Sequence, residues 1–435
     1  MHRQIKQLRG IDFMENTVSL PPSPVNWKKN LLVIWLSQFL AMVGFGCCMP
    51  FIPLLLKENL HIDDDNLRGL YVSIYYLAAM VSLCVATTVW GMLADRFGRK
   101  LMLLRASYAA ALFYPLLALA PNFWVLATIR FVCSFFSGTV NPAQTLLVAT
   151  SPSDKHGFVL GVLSTATTAG NMLGYLLGGL IVHYYGYTVA FFSCGAIYLA
   201  SGLLVHIFAK DDFNVKLAKK RRQKSPYKFK EVATPAVCWL LVLFMLYGVA
   251  HRLIQPYMAM LVEKVHLEFK EVAFYTGIAS AAASLGGFFA GLMIGWLCDR
   301  IAPRKLLVPV LFFGALLTAA MALSNSIAML VITRFLAAFA MGGIQPSLQL
   351  MLTKITKPEL RGTYFGWSGS VNTAGGILCS FLGGSIAFFS GVRGVYMASA
   401  IIFALMLPIL IPTVWAMKKE FVVDPDAPAR ELKEK

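Results

Sequence analysis

Twelve long runs with very few charged residues follow one another along this chain of 435 residues. A helix needs about 20 mostly apolar residues to cross the hydrocarbon core of a bilayer. Membrane barrels use alternating strands of only about ten residues, so runs of this length indicate helices. The sequence therefore predicts an all-α integral membrane protein with about twelve transmembrane helices. The predicted spans are 31–56, 70–93, 102–120, 123–148, 158–183, 188–208, 235–262, 272–297, 306–323, 327–352, 363–389 and 394–416.

The composition is unsuited to a water-soluble protein. Hydrophobic residues make up 58% of the chain and charged residues 14%, whereas soluble domains carry roughly 25% charged residues. The eight cysteines fall inside the apolar runs, and their spacing fits neither a metal site nor a disulfide framework. We find no catalytic motif and no phosphate-binding loop of the G-x-x-x-x-G-K-[ST] type. We therefore expect no enzyme activity, no cofactor and no metal.

Basic residues are distributed unevenly between the two sides of the predicted membrane. Of the 38 Lys and Arg residues, 30 fall in segments on one side or at the adjoining span edges, five fall on the other side and three lie deeper inside spans. Because positive residues accumulate in cytoplasmic loops, we predict that both termini are cytoplasmic and that no cleaved signal peptide is present. The basic run 219–222 marks the inner membrane face rather than a nucleic-acid site.

The second half of the chain repeats features of the first at a constant distance. The pairs Gly91 and Gly295, and Arg130 and Arg334, are each 204 positions apart. We therefore predict two pseudo-symmetric six-helix bundles, and parallel repeats of this kind suit a monomeric transporter that exposes a midplane site to each side in turn. The predicted divisions are an N-terminal segment 1–30, bundles at 31–209 and 235–417, a basic linker 210–234 and a tail 418–435.

Short motifs resemble a known transporter family. Residues 91–100 resemble the loop signature of the major facilitator superfamily, and 295–305 resemble its degenerate second copy. Arg130 with Gly138, and the glycine-rich stretch 170–179, resemble motifs of its drug:proton antiporter branch. Residues 26–31, 49–53 and 100–105 are similar to bacterial multidrug exporters of the MdtG type.

The resemblance implies roles for particular residues. The loop signature would act as a conformational latch, and the fifth-span glycines would pack helices in an exporter. The chain departs from the usual Gly-Pro of that motif at Gly174-Tyr175. The latch residues are Gly91, Asp95, Arg96, Gly98, Arg99, Lys100, Asp299 and Arg300, and the packing residues are Gly170, Gly174, Gly178 and Gly179.

Charged groups inside the spans are the candidates for coupling and substrate contact. A cation within a span is costly and usually functional. None of the 21 Asp and Glu residues lies deep in a predicted span, so proton antiport is implied only by the resemblance. One reading is a proton-coupled multidrug exporter in the bacterial inner membrane. The alternative is a transporter of an anionic metabolite, lipid or carboxylate siderophore. The candidate residues are Arg130, His251, Arg252, Arg334, Gln38, Asn141, Gln255 and Gln345.

Overall fold

A computed structural model describes residues 25–152, 155–211, 234–266, 268–298, 300–356 and 361–420. Its regular structure is helical in both halves of the chain. The first half contains α1 (Trp27–Cys48), a 3₁₀ turn (Met49–Phe51), α2 (Ile52–Glu58), α3 (Asp65–Phe97), α4 (Arg99–Ala118), α5 (Phe123–Phe136), α6 (Val140–Thr150) and α7 (His156–Phe208). The second half contains α8 (Pro235–Leu253), α9 (Met258–Val265), α10 (Phe269–Cys298), α11 (Pro303–Ala322), α12 (Ile327–Met341), α13 (Ile344–Lys354) and α14 (Arg361–Glu420).

Ten helical stretches of the described chain are long and apolar enough to cross a membrane. Two of them are 53 residues long, and each contains a glycine with a positive φ: Gly186 (81°) and Gly391 (68°). Because glycine adopts this conformation without steric cost, each stretch turns there into two consecutive helices. The prediction of an all-α membrane protein with about twelve spans is confirmed.

Four predicted spans are interrupted where the sequence suggested continuous helices. The first span breaks at Met49–Phe51, around Pro50, and the seventh breaks before Pro256. The fourth span breaks where Gly138 has a φ of 106°, and the tenth breaks between α12 and α13. Proline lacks the N–H that would continue a helix, which explains the first two breaks.

Polar residues begin several of the helices. Their side-chain oxygens accept hydrogen bonds from backbone N–H groups that have no partner within the first turn. Such caps favour a helix start at these positions, because they satisfy donors that the helix itself leaves unpaired. The capping residues are Asn26, Asp64, Asn122, Thr234 and Ser326.

The two halves pack against each other at one end of the helices. This end, here called the sealed end, holds the connections between α2 and α3 and between α9 and α10. At the sealed end α3 packs against α14, and α7 packs against α10. The opposite end, here called the basic end, holds the α3–α4 turn and the start of the predicted linker. Most of that linker and both terminal segments lie outside the described residues, so the predicted domain boundaries stay a prediction.

Candidate functional site

Five charged side chains join the two halves at the sealed end. Lys57 Nζ lies 2.5 Å from Glu263 Oε1, and Arg68 Nη2 lies 2.8 Å from Glu263 Oε2. Arg68 also pairs with Asp65, whose other oxygen lies 3.4 Å from Lys264 Nζ. Only 1% of the Arg68 side chain is exposed. Glu263 therefore links two cations of the first half from its place at the end of α9.

Sequence reasoning placed these residues in outer loops or at span edges and did not bring them together. A signal was nevertheless present. Pro50 and Pro256 occupy matching positions of the first and seventh spans, and Lys57 and Glu263 have the same separation of 206 residues. A pseudo-twofold axis can bring matching positions face to face, and here they carry opposite charges.

Glycines allow the fifth span to pack tightly against the first. A Cβ atom at Gly170 would collide with the carbonyl oxygen of Phe39, and one at Gly174 would collide with that of Val43. A Cβ at Gly178 would meet the backbone of Cys47. These three predicted packing residues therefore lie in a helix crossing within the first half.

The fourth predicted glycine lies between the halves. A Cβ at Gly179 would lie 2.9 Å from the carbonyl oxygen of Ala273 in α10. A Cβ at its counterpart 205 residues later, Gly384, would lie 2.5 Å from the side-chain Cβ of Ser73 in α3. Three glycines of the motif thus allow a helix crossing inside the first half. The fourth, Gly179, allows a contact between the halves that must separate if the sealed end opens.

The predicted latch lies in the α3–α4 turn at the basic end. Gly98 has a φ of 92°, which permits the reversal between the two helices. The N–H groups of Arg99 and Lys100 donate to Asp211 Oδ2 at 2.8 and 2.9 Å. Asp211, which the sequence analysis did not select, therefore caps α4 from the start of the predicted linker. A carboxylate is favoured there by the helix dipole.

The other latch residues contribute less to the described geometry. Arg96 is exposed, with its guanidinium 5.5 Å from the centroid of the Phe97 ring. Gly91 lines a cavity, and Arg300 lies in the turn before α11. The side chain of Asp95 and the whole of Asp299 lie outside the described residues.

A cavity of about 450 Å³ lies inside the first half, between α1, α3, α4, α5, α6 and the sixth span. Arg130 lines it and is 6% exposed, with its guanidinium 5.2 Å from the centroid of the Tyr75 ring. Its Nε has no hydrogen-bond partner among the described residues. Asn141 and Arg105 line the same cavity, and only the first of these was a predicted site residue.

Two predicted site residues of the second half, His251 and Arg252, lie near the break in the seventh span. Arg252 Nη2 donates to Asn372 Oδ1 at 2.9 Å, which ties α8 to the eleventh span. The His251 ring stacks on Tyr247 with centroids 5.3 Å apart. Its Nε2 lies 3.3 Å from Gln255 Nε2.

The remaining candidates are distributed over separate places. Arg334 is 7% exposed, and its Nε has no described partner. Gln38 is fully buried and accepts a hydrogen bond of 3.1 Å from Thr139, so it braces helices rather than lining an open surface. Gln345 is exposed near the start of α13. The structure therefore places Arg130 and Asn141 on one cavity and His251, Arg252 and Gln255 at the seventh-span break, and the candidates do not form a single site.

The architecture and sequence together identify the family. Residues 34–327 and 272–434 match the family model described as the Major Facilitator Superfamily. The chain belongs to this superfamily. It is therefore a multi-pass membrane transporter and not an enzyme. It is 29% identical over 384 residues to the multidrug resistance protein MdtG of Klebsiella pneumoniae (strain 342), with 88% of this chain and 93% of the relative covered.

Solved structures share the fold at low sequence identity. A variant of the nucleoside transporter NupG aligns with a TM-score of 0.73 and 13% identity, covering 88% of this chain and 99% of that one. A bacterial homolog of the human lysosomal transporter Spinster, in an inward-facing and occupied conformation, aligns with a TM-score of 0.71 and 15% identity. That alignment covers 89% of this chain and 97% of the other. At these identities the similarity concerns the fold alone.

Proposed function

We propose that this superfamily member exports small molecules across the bacterial inner membrane by alternating access and acts as a monomer. The observation that carries the proposal is the way in which the halves meet at the sealed end. Ion pairs centred on Glu263 and the close approach at Gly179 are contacts that can separate without unfolding either half. Rocking of one half against the other would then expose a central site to each side in turn.

The basic end faces the cytoplasm in this proposal. The 30-to-5 distribution of Lys and Arg supports this orientation. The described conformation would then be closed toward the outside. A cysteine introduced at Gln223, in the predicted linker, should resist a membrane-impermeant thiol reagent in intact cells. It should react after the cells are opened, and labelling in intact cells would contradict the orientation.

Multidrug efflux is the function that the names of the relatives favour, and we propose that a proton gradient drives it. The relative from Klebsiella pneumoniae is named a multidrug resistance protein, and Met42, Phe45 and Met80 give the cavity of this chain an adaptable apolar wall. Everted vesicles that contain the chain should accumulate cationic dyes when a proton gradient is applied. A protonophore should abolish this uptake, and gradient-independent uptake would exclude proton coupling.

An anionic substrate is the second candidate. Four arginines lie within the predicted spans, namely Arg105 near the edge of the third span and, deeper, Arg130, Arg252 and Arg334. The described carboxylates whose side chains are placed lie at helix ends or in loops. A guanidinium binds carboxylate or phosphate through two parallel hydrogen bonds. Docking at Arg252 would compete with its bond to Asn372, and His251 would modulate the docking by its protonation.

The variant Arg252→Gln distinguishes the two candidates. It should weaken transport of anionic substrates much more than transport of cationic dyes, at normal expression. If anionic compounds never compete with the dyes and the dyes are unaffected by the change, the anionic candidate is wrong and the multidrug candidate stands.

A further inference from the structure

A second cation, Arg105, lines the cavity of the first half without a protein counter-ion in the described structure. Its guanidinium carbon lies 3.8 Å from the centroid of the Trp90 ring, so the ring covers one face of the guanidinium. Its Nε and Nη1 are enclosed but have no hydrogen-bond partner among the described residues. A guanidinium stays protonated in proteins, and each of these nitrogens remains a strong donor.

The cavity around Arg105 is positive. Arg130 lines it as well, and its Nε also has no described partner. Among the described side chains that line the cavity, none is a carboxylate. Enclosed charges are stable in proteins when they are paired, so two guanidinium groups with unpartnered nitrogens and no described counter-ion favour the binding of an anion.

The pair of Arg105 and Trp90 is not repeated in the sequence at the offset of 204 residues. Arg130 has a counterpart in Arg334, as expected if these two residues brace their bundles symmetrically. The position 204 residues after Arg105 is Pro309, and the position 204 residues after Trp90 is Ile294. The pair of Arg105 and Trp90 is therefore not required by the repeated architecture, which favours a role in binding.

We propose that this cavity binds amphipathic organic anions, with the anionic oxygens docked on Arg105. Trp90 holds the guanidinium in place, and its unpartnered Nε and Nη1 remain donors for the oxygens of a carboxylate, sulfonate or phosphate. Met42, Phe45 and Met80 receive the apolar body of the ligand. The volume of about 450 Å³ lies within the usual range for sites that hold drug-sized molecules.

This inference deepens the proposed function and rests on it for the step from binding to transport. Binding can be measured on the purified full-length chain in phosphatidylcholine nanodiscs. The probes are dansylglycine, which carries a carboxylate, and dansylcadaverine, which carries an amine on the same fluorophore. Dansylglycine should bind, and Arg105→Gln should weaken its binding by about tenfold to a hundredfold, because charge-assisted hydrogen bonds are lost. Arg105→Lys should give an intermediate affinity, since lysine keeps the charge but not the two-pronged geometry.

Two controls protect the interpretation. Arg393→Gln removes a guanidinium that donates to Ser324 and Asn325 outside the cavity, and it should leave dansylglycine binding unchanged. The thermal unfolding temperature of each variant should match that of the parent protein. Unchanged binding of dansylglycine to a folded Arg105→Gln protein would overturn the proposal. Equal weakening of dansylcadaverine binding would do the same.

Anionic lipid tests the source of the occupant. If phosphatidylglycerol in the nanodisc displaces dansylglycine from the parent protein but not from Arg105→Gln, the site holds lipid headgroups. If it does not displace the probe, the site takes soluble anions. Unchanged dansylglycine binding to Arg105→Gln, in a protein that still performs driven dye efflux, would refute this inference alone. Arg105-dependent binding without any driven efflux would refute the proposed function alone.

Discussion

Replacing Glu263 by Gln should open the sealed end. The substitution keeps the shape of the side chain but removes the negative charge that lies 2.5 Å from Lys57 Nζ and 2.8 Å from Arg68 Nη2. Both cations belong to the other half, so losing these two ion pairs weakens the contact between the halves. When the halves separate at this end, water can solvate the same three groups, and the substitution then costs little.

The magnitude follows from the burial of the partners. Removing one member of a buried ion pair costs about 3–5 kcal/mol, whereas exposed pairs contribute only about 0.2–1 kcal/mol. Arg68 is 1% exposed but keeps its pairing with Asp65, and the Lys57 side chain is 31% exposed. We therefore expect Glu263→Gln to reduce the free energy that favours the sealed conformation by about 2 kcal/mol. This raises the ratio of open to sealed molecules roughly 30-fold.

The distance across the sealed end can be measured by double electron–electron resonance. Spin labels at Asn59 and Lys270 report on the two halves, in a background from which the exposed Cys84 and Cys238 have been removed. Glu263→Gln should populate a longer distance between the labels. Glu268→Gln, which neutralises an exposed acid just before α10, is the matched control and should leave the distribution unchanged.

A charge exchange tests the reasoning further. Lys57→Glu combined with Glu263→Lys should restore much of the short distance, although the exchanged lysine would face Arg68. The reasoning is refuted if Glu263→Gln and the control give the same distance distribution. It is also refuted if Lys57→Gln and Glu263→Gln change the free energy of opening by fully additive amounts. Two groups in direct contact should instead give a combined effect that differs from the sum of the single effects.

Three further variants test other parts of the structure. Gly174→Leu should destabilise the packing of the fifth span against Val43 by about 3 kcal/mol and lower the yield of monodisperse protein. Gly157→Leu is the control and should do neither, because a Cβ at Gly157 has no neighbouring atom within 4 Å. Asp211→Ala should lower the thermal unfolding temperature in detergent by removing the cap of α4, which contributes about 1 kcal/mol; an unchanged temperature would argue against the cap. Asp95→Asn should leave the chain in the membrane but reduce transport, and undiminished transport would exclude a latch role for its charge.

The membrane architecture was readable from the sequence because it depends on local physics. Any helix in a bilayer must present about 20 apolar residues, so the spans appear directly in the composition. The repeat at 204–205 residues indicated two related halves, and the family signature at 91–100 was recognisable. The breaks at Gly186 and Gly391 follow the same offset, yet their positive φ values could not be read from the residue type alone.

Tertiary structure decided which polar groups meet. Glu263 and Arg68 are 195 residues apart, and each looks like an ordinary loop charge until the halves are packed together. Asp211 caps a helix that begins 112 residues earlier, and no residue of the latch signature indicates that contact. Arg105 looked like one more inner-face cation, whereas the packing of α3 and α4 encloses it against Trp90. Hydropathy fixes only where each helix crosses the bilayer. The rotation of each helix and the crossing of the halves determine which charges are paired and which still need a partner.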